Sequence, residues 1–390
     1  FSNVKNNKNY RSFKIDKDVF VKNIYEKDEV LSFDTKPYIG LLGIKDYKKF
    51  WDHMKNGKNY GSIRVGESYG IRKLLEDKHT FRAKEFTWYD TGNLETLEIA
   101  RDKLSSENTP EILEKPDEAI WFVNDRIIKY SKHKDFISDR VKRSEILKGY
   151  VPEVTTKSNN MYSYRMLNGQ VISKVTNSNI FKDLLNYLEY FWELKSLNKD
   201  EQIHFKKVCN EFYQQKTKKR IQLYFDRFSQ ADEPEIINGL RVPKLEDLLK
   251  KVDWSTLSDG VPVRFHGDLH FENILVAETG DFFLLDWRQN FGGIYDYGDL
   301  YYDLSKILHG LIVSHELVNK ECFNISHVDN VISYDLYRKH GLVENERQFF
   351  DFLKENDYDS YKIKLLTAII FLNIAPLHHH PYSKMLFYLG

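Results

Sequence analysis

Short apolar runs separated by turn-forming residues fill the first 170 positions of the chain, and stretches of helical period fill most of the rest. Up to about residue 105 the runs Ser12-Phe13-Lys14-Ile15, Tyr38-Ile39-Gly40-Leu41-Leu42-Gly43-Ile44 and Phe81-Arg82-Ala83-Lys84-Glu85-Phe86 alternate with polar turns, and residues 94–104 have a helical pattern. The polar, proline-punctuated stretch from Ser105-Ser106-Glu107-Asn108-Thr109-Pro110 to Pro116-Asp117-Glu118 reads as a linker. Next, Ala119-Ile120-Trp121-Phe122-Val123 and Arg126-Ile127-Ile128-Lys129-Tyr130 flank Asn124-Asp125, a β-hairpin pattern. A helix is predicted over 138–147, a strand over 161–167 closed by Asn168-Gly169, and helix from 181 to about 228. Ile274-Leu275-Val276 and Phe282-Phe283-Leu284-Leu285 are apolar strands joined by the turn Glu278-Thr279-Gly280-Asp281, and from Asp299 onward the pattern is mostly helical. No internal repeat is visible.

A sheet-rich segment followed by a helical one predicts an α+β protein of several units: residues 1–105, a linker over 106–118, a small β-rich lobe over 119–168 and a helical lobe over 169–390. The 58 basic and 58 acidic side chains cancel, so charge argues for no nucleic-acid partner. The apolar stretch 365–377 is too short to span a bilayer, contains Asn373 and Pro376, and reads as a buried helix, so no membrane insertion is expected. Cys209 and Cys322 have neither metal-ligand nor redox spacing, which fits a reducing cytoplasm. The start at Phe1 reads as that of a fragment or a processed product. Three consecutive histidines, His378-His379-His380, point in different directions on any regular element and are not expected to share a metal ion.

One run narrows the chemistry. His266-Gly267-Asp268-Leu269-His270-Phe271-Glu272-Asn273 is followed, past the apolar hairpin, by Leu284-Leu285-Asp286-Trp287. Transfer of an ATP γ-phosphoryl group to a hydroxyl needs one carboxylate at the hydroxyl, and one amide and a second carboxylate for the Mg²⁺ ions on the phosphates. Asp268 suits the first role, and Asn273 and Asp286 supply hard oxygen ligands for the second. Lys129, at the end of an apolar strand, is placed to reach the nucleotide phosphates, and Glu145 on the next helix is the candidate to hold it.

This run resembles the aminoglycoside phosphotransferase and choline kinase family, whose catalytic loop reads close to H-G-D-L-H-x-x-N and whose metal motif reads I-D-W. The resemblance implies a two-lobed protein-kinase-like fold, β-rich N-lobe and helical C-lobe, with ATP and Mg²⁺ as cofactors and a small-molecule hydroxyl as acceptor. It supports the roles of Lys129 and Glu145 and makes Asp268 the catalytic residue. It gives His266 a loop-supporting role and aligns Gly298-Asp299-Leu300-Tyr301-Tyr302-Asp303-Leu304 with the family's G-D-x-x-x-D-L, whose carboxylates cap a helix or bond back to the loop. Residues 165–169, with Met166 and Leu167, are the expected lobe connector, offering backbone groups to adenine. Where choline and aminoglycoside kinases often carry an acid after the Asp-Trp pair, this chain has Arg288-Gln289, which argues against a simple transfer of their cationic substrates.

Ahead of this, Trp88-Tyr89-Asp90-Thr91-Gly92 before the 94–104 helix resembles the W-x-D-T-G motif in the C-terminal part of sugar-phosphate nucleotidyltransferases, and residues 38–44 resemble a strand of that family. The resemblance implies a partial α/β nucleotidyltransferase segment and makes Asp90 its Mg²⁺ candidate. That family's glycine-rich G-x-G-T-R loop and first metal Asp have no counterpart in the chain. Together the two resemblances imply an ATP-dependent kinase for a sugar or an amino alcohol such as choline, coupled to nucleotide activation of the product for surface polysaccharide or lipid precursors. The alternatives are an antibiotic kinase, a non-catalytic kinase-fold binding module, or an active nucleotidyltransferase. A homo-oligomer is compatible with each.

Overall fold

A computed structural model of the chain describes residues 1, 10–27, 35–92, 96–97, 99–100, 103 and 117–390. Contacts divide it into two units, Phe1–Pro110 and Glu111–Gly390. The predicted linker lies outside the described residues, apart from Asp117 and Glu118, and so does most of the predicted 94–104 helix, of which Thr96, Leu97, Ile99, Ala100 and Lys103 are described as helical.

The first unit is an antiparallel sheet with β1 (Ser12–Ile15) between β2 (Val21–Tyr25) and β3 (Thr35–Pro37). Phe13, Val21 and Ile24 of the sheet bury themselves with Tyr38 and Ile71. Ile71 comes from α2 (Glu67–Glu76), which follows α1 (Tyr47–Asn56). Two expectations are corrected. The run 38–44 forms no strand: β3 ends at Pro37, which has no N–H for a ladder, and Gly40 turns the chain at φ 79°. The run 81–86 forms no strand: it contributes a single bridge, Phe20 with Arg82, and a further backbone bond, from the Phe86 N–H to the Phe1 carbonyl at 2.9 Å. The two helices over 47–76 occupy what read as turns.

In the second unit the predicted hairpin forms: β4 (Glu118–Val123) and β5 (Arg126–Ser131) turn at Asn124, whose φ of 55° an asparagine tolerates. After α3 (Lys134–Ile146) come β6 (Val154–Lys157) and β7 (Met161–Arg165), completing an antiparallel sheet of order β4-β5-β7-β6. The chain then enters β8 (Gly169–Val171), the edge of a second small sheet. Helices α4 (Ser178–Phe191), α5 (Lys199–Asn210) and α6 (Lys216–Phe228) follow, the last two joined through the π-helical turn Glu211–Gln215. Strands β9 (Glu235–Ile237) and β10 (Leu240–Val242) form a hairpin, β11 (Ile274–Ala277) and β12 (Phe282–Leu284) another, and β11 also pairs with β8.

The rest is α7 (Leu300–Ile312), the hairpin β13 (Phe323–Val328) and β14 (Val331–Leu336), then α8 (His340–Glu355), α9 (Ser360–Ile374) and α10 (Tyr382–Leu389). Strand β14 pairs in parallel with β9, making a four-stranded sheet that the helical reading of the C-terminal third had missed. Its alternating burial over Phe323–Val328 is the period-two signal of a half-covered strand. Ser360–Leu377 is long and apolar enough to cross a membrane by composition, but most of it is buried inside the protein: Ile363, Leu366, Ile369, Ile370 and Leu372 are core residues. α7 is buried on nearly every side, including Asp303 and Lys306, and is the post on which the site is built.

Candidate active site

The hairpin β11–β12 sets the geometry. Ile274 pairs with Leu284, so the residues just outside the ladder, Asn273 and Leu285, face each other, and the Leu285 N–H donates to the Asn273 carbonyl at 2.7 Å. Asp286 follows at once in a left-handed conformation, φ 56°, which turns the chain out of the strand. The 13-position step from Asn273 to Asp286 is thus the length of one hairpin.

Asp268 lies on the loop before β11. The Asn273 side-chain N–H donates to the Asp268 carbonyl at 2.9 Å and lies 3.4 Å from its carboxylate, which leaves the Asn273 amide oxygen for other ligands. Lys306 of α7 binds the Asp268 carboxylate at 2.8 Å. Burial pushes the Asp268 carboxyl upward, but the charge of Lys306 and the hydrogen bond it donates outweigh it and hold the group well below the usual carboxylate range. His266 is fully buried and accepts the Asp268 N–H through Nδ1 at 3.3 Å; burial lowers it to about 4, so it stays neutral and supports the loop.

Asp303 and Arg143 clamp the loop, and Asp299 fixes the start of α7 beside it. Asp303 of α7 accepts the backbone N–H groups of His266 (2.8 Å) and Gly267 (2.7 Å), and the Trp192 indole N–H at 3.2 Å. Asp299 caps α7 through the Tyr301 N–H and binds the Val261 N–H and the Tyr213 hydroxyl. Arg143, fully buried on α3, donates to the carbonyls of Phe265 (2.5 Å) and Arg288 (2.8 Å). Gly267 sits at φ 87°, and a Cβ there would lie 2.6 Å from the Arg288 side chain, so this position admits only glycine.

The nucleotide-side expectations come out differently. Lys129 of β5 binds the Asp286 carboxylate at 2.7 Å, and Arg140 of α3 binds the same oxygen. Glu145 is corrected: it is exposed and has no ion pair to Lys129 among the described residues. The inward face of α3 carries Ile137, Arg140, Val141, Arg143 and Ser144, and residue 145, although four past Val141, is exposed in the last turn. The charged residues that this helix turns inward are therefore arginines. Met166 is corrected in part: its N–H already donates to the Asp125 carbonyl at 2.7 Å, so only its carbonyl and the groups of Leu167 remain for an adenine.

Sequence reading missed Arg140, Arg143 and Lys306. Each carries a weak signal: Arg140 and Arg143 are three apart on one face, as are Asp303 and Lys306. In a charged sequence such pairs look like solvated surface.

Asp90 belongs to the first unit and is described with it alone. It accepts the Tyr10 hydroxyl at 2.7 Å and the Gly92 N–H at 2.9 Å, and these bonds keep its carboxyl below the usual range. It lines an open cleft of about 420 Å³ with Arg11, Lys27, Glu67 and Trp88.

Comparison with known proteins bears on this geometry at one point. Residues 207–318 match the phosphotransferase enzyme family. That phosphotransferase segment contains Asp268, Asn273, Asp286, Asp299, Asp303 and Lys306, and begins after Lys129 and Arg140. No curated protein matches the chain. Among solved structures, an ethanolamine kinase of Plasmodium vivax is 13% identical with TM-score 0.40, covering 82% of this chain and 92% of its own. A choline kinase of Cryptosporidium parvum is 14% identical with TM-score 0.38, covering 75% and 93%. The streptomycin–ATP–APH(2″)-IIa ternary complex is 13% identical with TM-score 0.39, covering 75% and 94%. All three are remote likenesses. The chain thus carries a segment that matches the phosphotransferase enzyme family, with its polar residues gathered around the loop 266–273.

One consequence of the Lys306 contact is measurable. With Lys306→Met, burial of Asp268 is no longer opposed at close range, and its carboxyl moves up. If Asp268 takes the acceptor's proton, its protonated form no longer can, so turnover of the variant should begin to fall at a higher pH than that of the unaltered protein. The check is a kcat–pH profile from pH 5 to 9; superimposable profiles would remove Lys306 from that role.

Proposed function

We propose that the chain is an ATP- and Mg²⁺-dependent kinase of two-lobed, protein-kinase-like architecture that phosphorylates a hydroxyl of a small molecule, a sugar or an amino alcohol such as choline. The observation that carries this reading is the convergence of Lys129 from β5, Asp286 from the end of β12, and Asp268 and Asn273 from the loop before β11 onto one place, the last three within the segment that matches the phosphotransferase family.

Asp268 accepts the hydroxyl proton, and Lys306 and Asn273 keep its carboxylate ionised and aimed. Asn273 and Asp286 offer an amide oxygen and a carboxylate, hard ligands that fit Mg²⁺. The ion, when bound there, neutralises charge on the phosphates. Lys129 and Arg140, which share the Asp286 carboxylate in the free protein, are the cations at hand for the triphosphate. Asp303 and Arg143 hold the loop backbone so that these positions persist. The reaction is mostly positioning and electrostatics, which this arrangement supplies.

Intact Lys129, Asp268, Asn273 and Asp286 disfavour a non-catalytic binding module. The reading is tested by acceptor-dependent ADP formation over a panel of sugars, amino alcohols and polyols. Stimulation by at least one acceptor supports it; a flat response across the panel contradicts it.

We infer further that residues 1–105 are the back part of a nucleotidyltransferase-like domain, and that the kinase product is activated with a nucleotide for surface polysaccharide or lipid precursors. The support is the Trp88-Tyr89-Asp90-Thr91-Gly92 run and the cleft at Asp90. A lone carboxylate is a weak Mg²⁺ site without substrate phosphates. The 390-residue chain should therefore release no pyrophosphate from CTP, UTP, GTP or dTTP with sugar phosphates, and Asp90→Ala should leave kinase turnover unchanged. Pyrophosphate release by this chain would reverse that reading.

A further inference from the structure

Asp268 stands among more positive charge than Lys306 alone. Lys216 at the start of α6 and Arg288 after Asp286 share one aromatic ring: the Lys216 Nζ is 4.3 Å and the Arg288 guanidinium carbon 4.7 Å from the centre of Phe212. The Arg288 stem lies against Gly267, the residue before Asp268, and its Nη1 donates to the Tyr302 hydroxyl at 3.3 Å. Arg220, one turn beyond Lys216 on α6, is half-buried beside Arg288. Among the described residues Lys216, Arg220 and Arg288 make no ion pair.

The crowding is felt by the lysine. Burial lowers the Lys216 ammonium well below the usual lysine range, and Arg288, Lys306 and Arg220 push the same way. Gathering like charges in a partly desolvated place is unfavourable unless something of opposite sign comes to rest there. Asp268, the carboxylate whose charge bears on Lys216, is already taken by Lys306. The triphosphate has its own cations in Lys129 and Arg140, which reach Asp286 from β5 and α3, elements outside the helical segment that carries Lys216 and Arg220. A cationic head group would be repelled here, whereas an anionic group would be held by a guanidinium fork and an ammonium.

We propose that the acceptor is a hydroxyl compound bearing a carboxylate or phosphate group, which Lys216, Arg220 and Arg288 hold while the hydroxyl lies at Asp268. This rests on the kinase reading for the hydroxyl, but the anion site stands or falls by itself.

The test has two arms on the full chain. In the first, thermal unfolding is followed with saturating Mg²⁺ and a non-hydrolysable ATP analogue, adding inorganic phosphate, gluconate or, as a control for ionic strength, sodium chloride. Phosphate or gluconate should raise Tm further where chloride does not, and Arg288→Gln and Lys216→Gln should each abolish that increment while keeping the nucleotide's own. In the second, acceptor-dependent ADP formation is compared across glucose, gluconate, glucose 6-phosphate, choline and ethanolamine. The anionic compounds should be preferred, gluconate alone identifying a carboxylate and glucose 6-phosphate alone a phosphate. In the variants their KM should rise about 10–100-fold, the loss of charge-assisted bonds, with KM for ATP within about twofold. No anion-specific Tm increment in the unaltered chain overturns the proposal, as does preference for choline or ethanolamine. Loss of the nucleotide increment in the variants also overturns it, since the cations would then serve the triphosphate. An anion increment with no ADP formed from any acceptor upholds the anion site and defeats the kinase reading instead.

Discussion

Asp268→Asn is expected to lower turnover by about 10²–10⁴-fold while leaving the thermal stabilisation by Mg-ATP nearly intact. The carboxylate contacts Lys306, His270 and Asn273 and, among the described residues, makes no ion pair with Lys129 or Arg140, so its loss removes proton acceptance and hydroxyl orientation without dismantling Lys129, Arg140 or Asp286. The substitution also strands Lys306, a buried lysine at 7% exposure. That cost is separable: Asp268→Asn combined with Lys306→Met removes the stranded charge and should recover stability but not turnover. A single variant that keeps more than about a tenth of the original turnover, or a double variant that recovers it, would remove Asp268 from the chemistry.

The second large effect belongs to Asp286. Its carboxylate binds Lys129 and Arg140 at once, and it is also the candidate metal ligand, so Asp286→Ala removes one ligand and leaves two buried cations without their partner. At a hundredfold excess over Kd, a ligand stabilises its protein by roughly 2.7 kcal/mol. The Tm increment given by Mg-ATP should vanish in Asp286→Ala and shrink in Lys129→Ala. Arg140→Ala separates the two cations: if it shares the phosphates with Lys129, its increment shrinks as well. An increment of full size in Asp286→Ala would show that the nucleotide binds elsewhere.

These expectations differ in how far the sequence reveals them. The catalytic run was legible because its parts are covalently close: Asp268, Asn273 and Asp286 are joined by one loop and one hairpin, and the apolar alternation around Glu278-Thr279-Gly280-Asp281 marks the hairpin directly. The β4–β5 hairpin and Lys129 were legible for the same reason. Glu145 was not legible as a solvent-facing residue because it lies four past Val141, a spacing that admits it to the buried face. The face is in fact filled by Ile137, Arg140, Val141, Arg143 and Ser144, and Glu145 is exposed. Lys306 and Arg143 were hidden for another reason. They act on Asp268 and on the Phe265 and Arg288 carbonyls, 38, 122 and 145 residues away in sequence, and long-range partners of a charged side chain leave no local pattern. The sheet that joins β9 with β13 and β14 was missed likewise, since its parallel pairing spans almost a hundred residues. In the first unit the run 38–44 failed as a strand because Pro37 and Gly40 outweigh its apolar content.

The proposed reaction moves the γ-phosphoryl group of ATP to a hydroxyl at Asp268. The most direct measurement is phosphorus NMR of the full chain with Mg-ATP and the acceptor panel, run beside Asp268→Asn. A new phosphomonoester resonance should grow in step with ADP, only when an acceptor is present, and not in the variant. ADP with inorganic phosphate and no ester, or an ester that forms equally in Asp268→Asn, would contradict it.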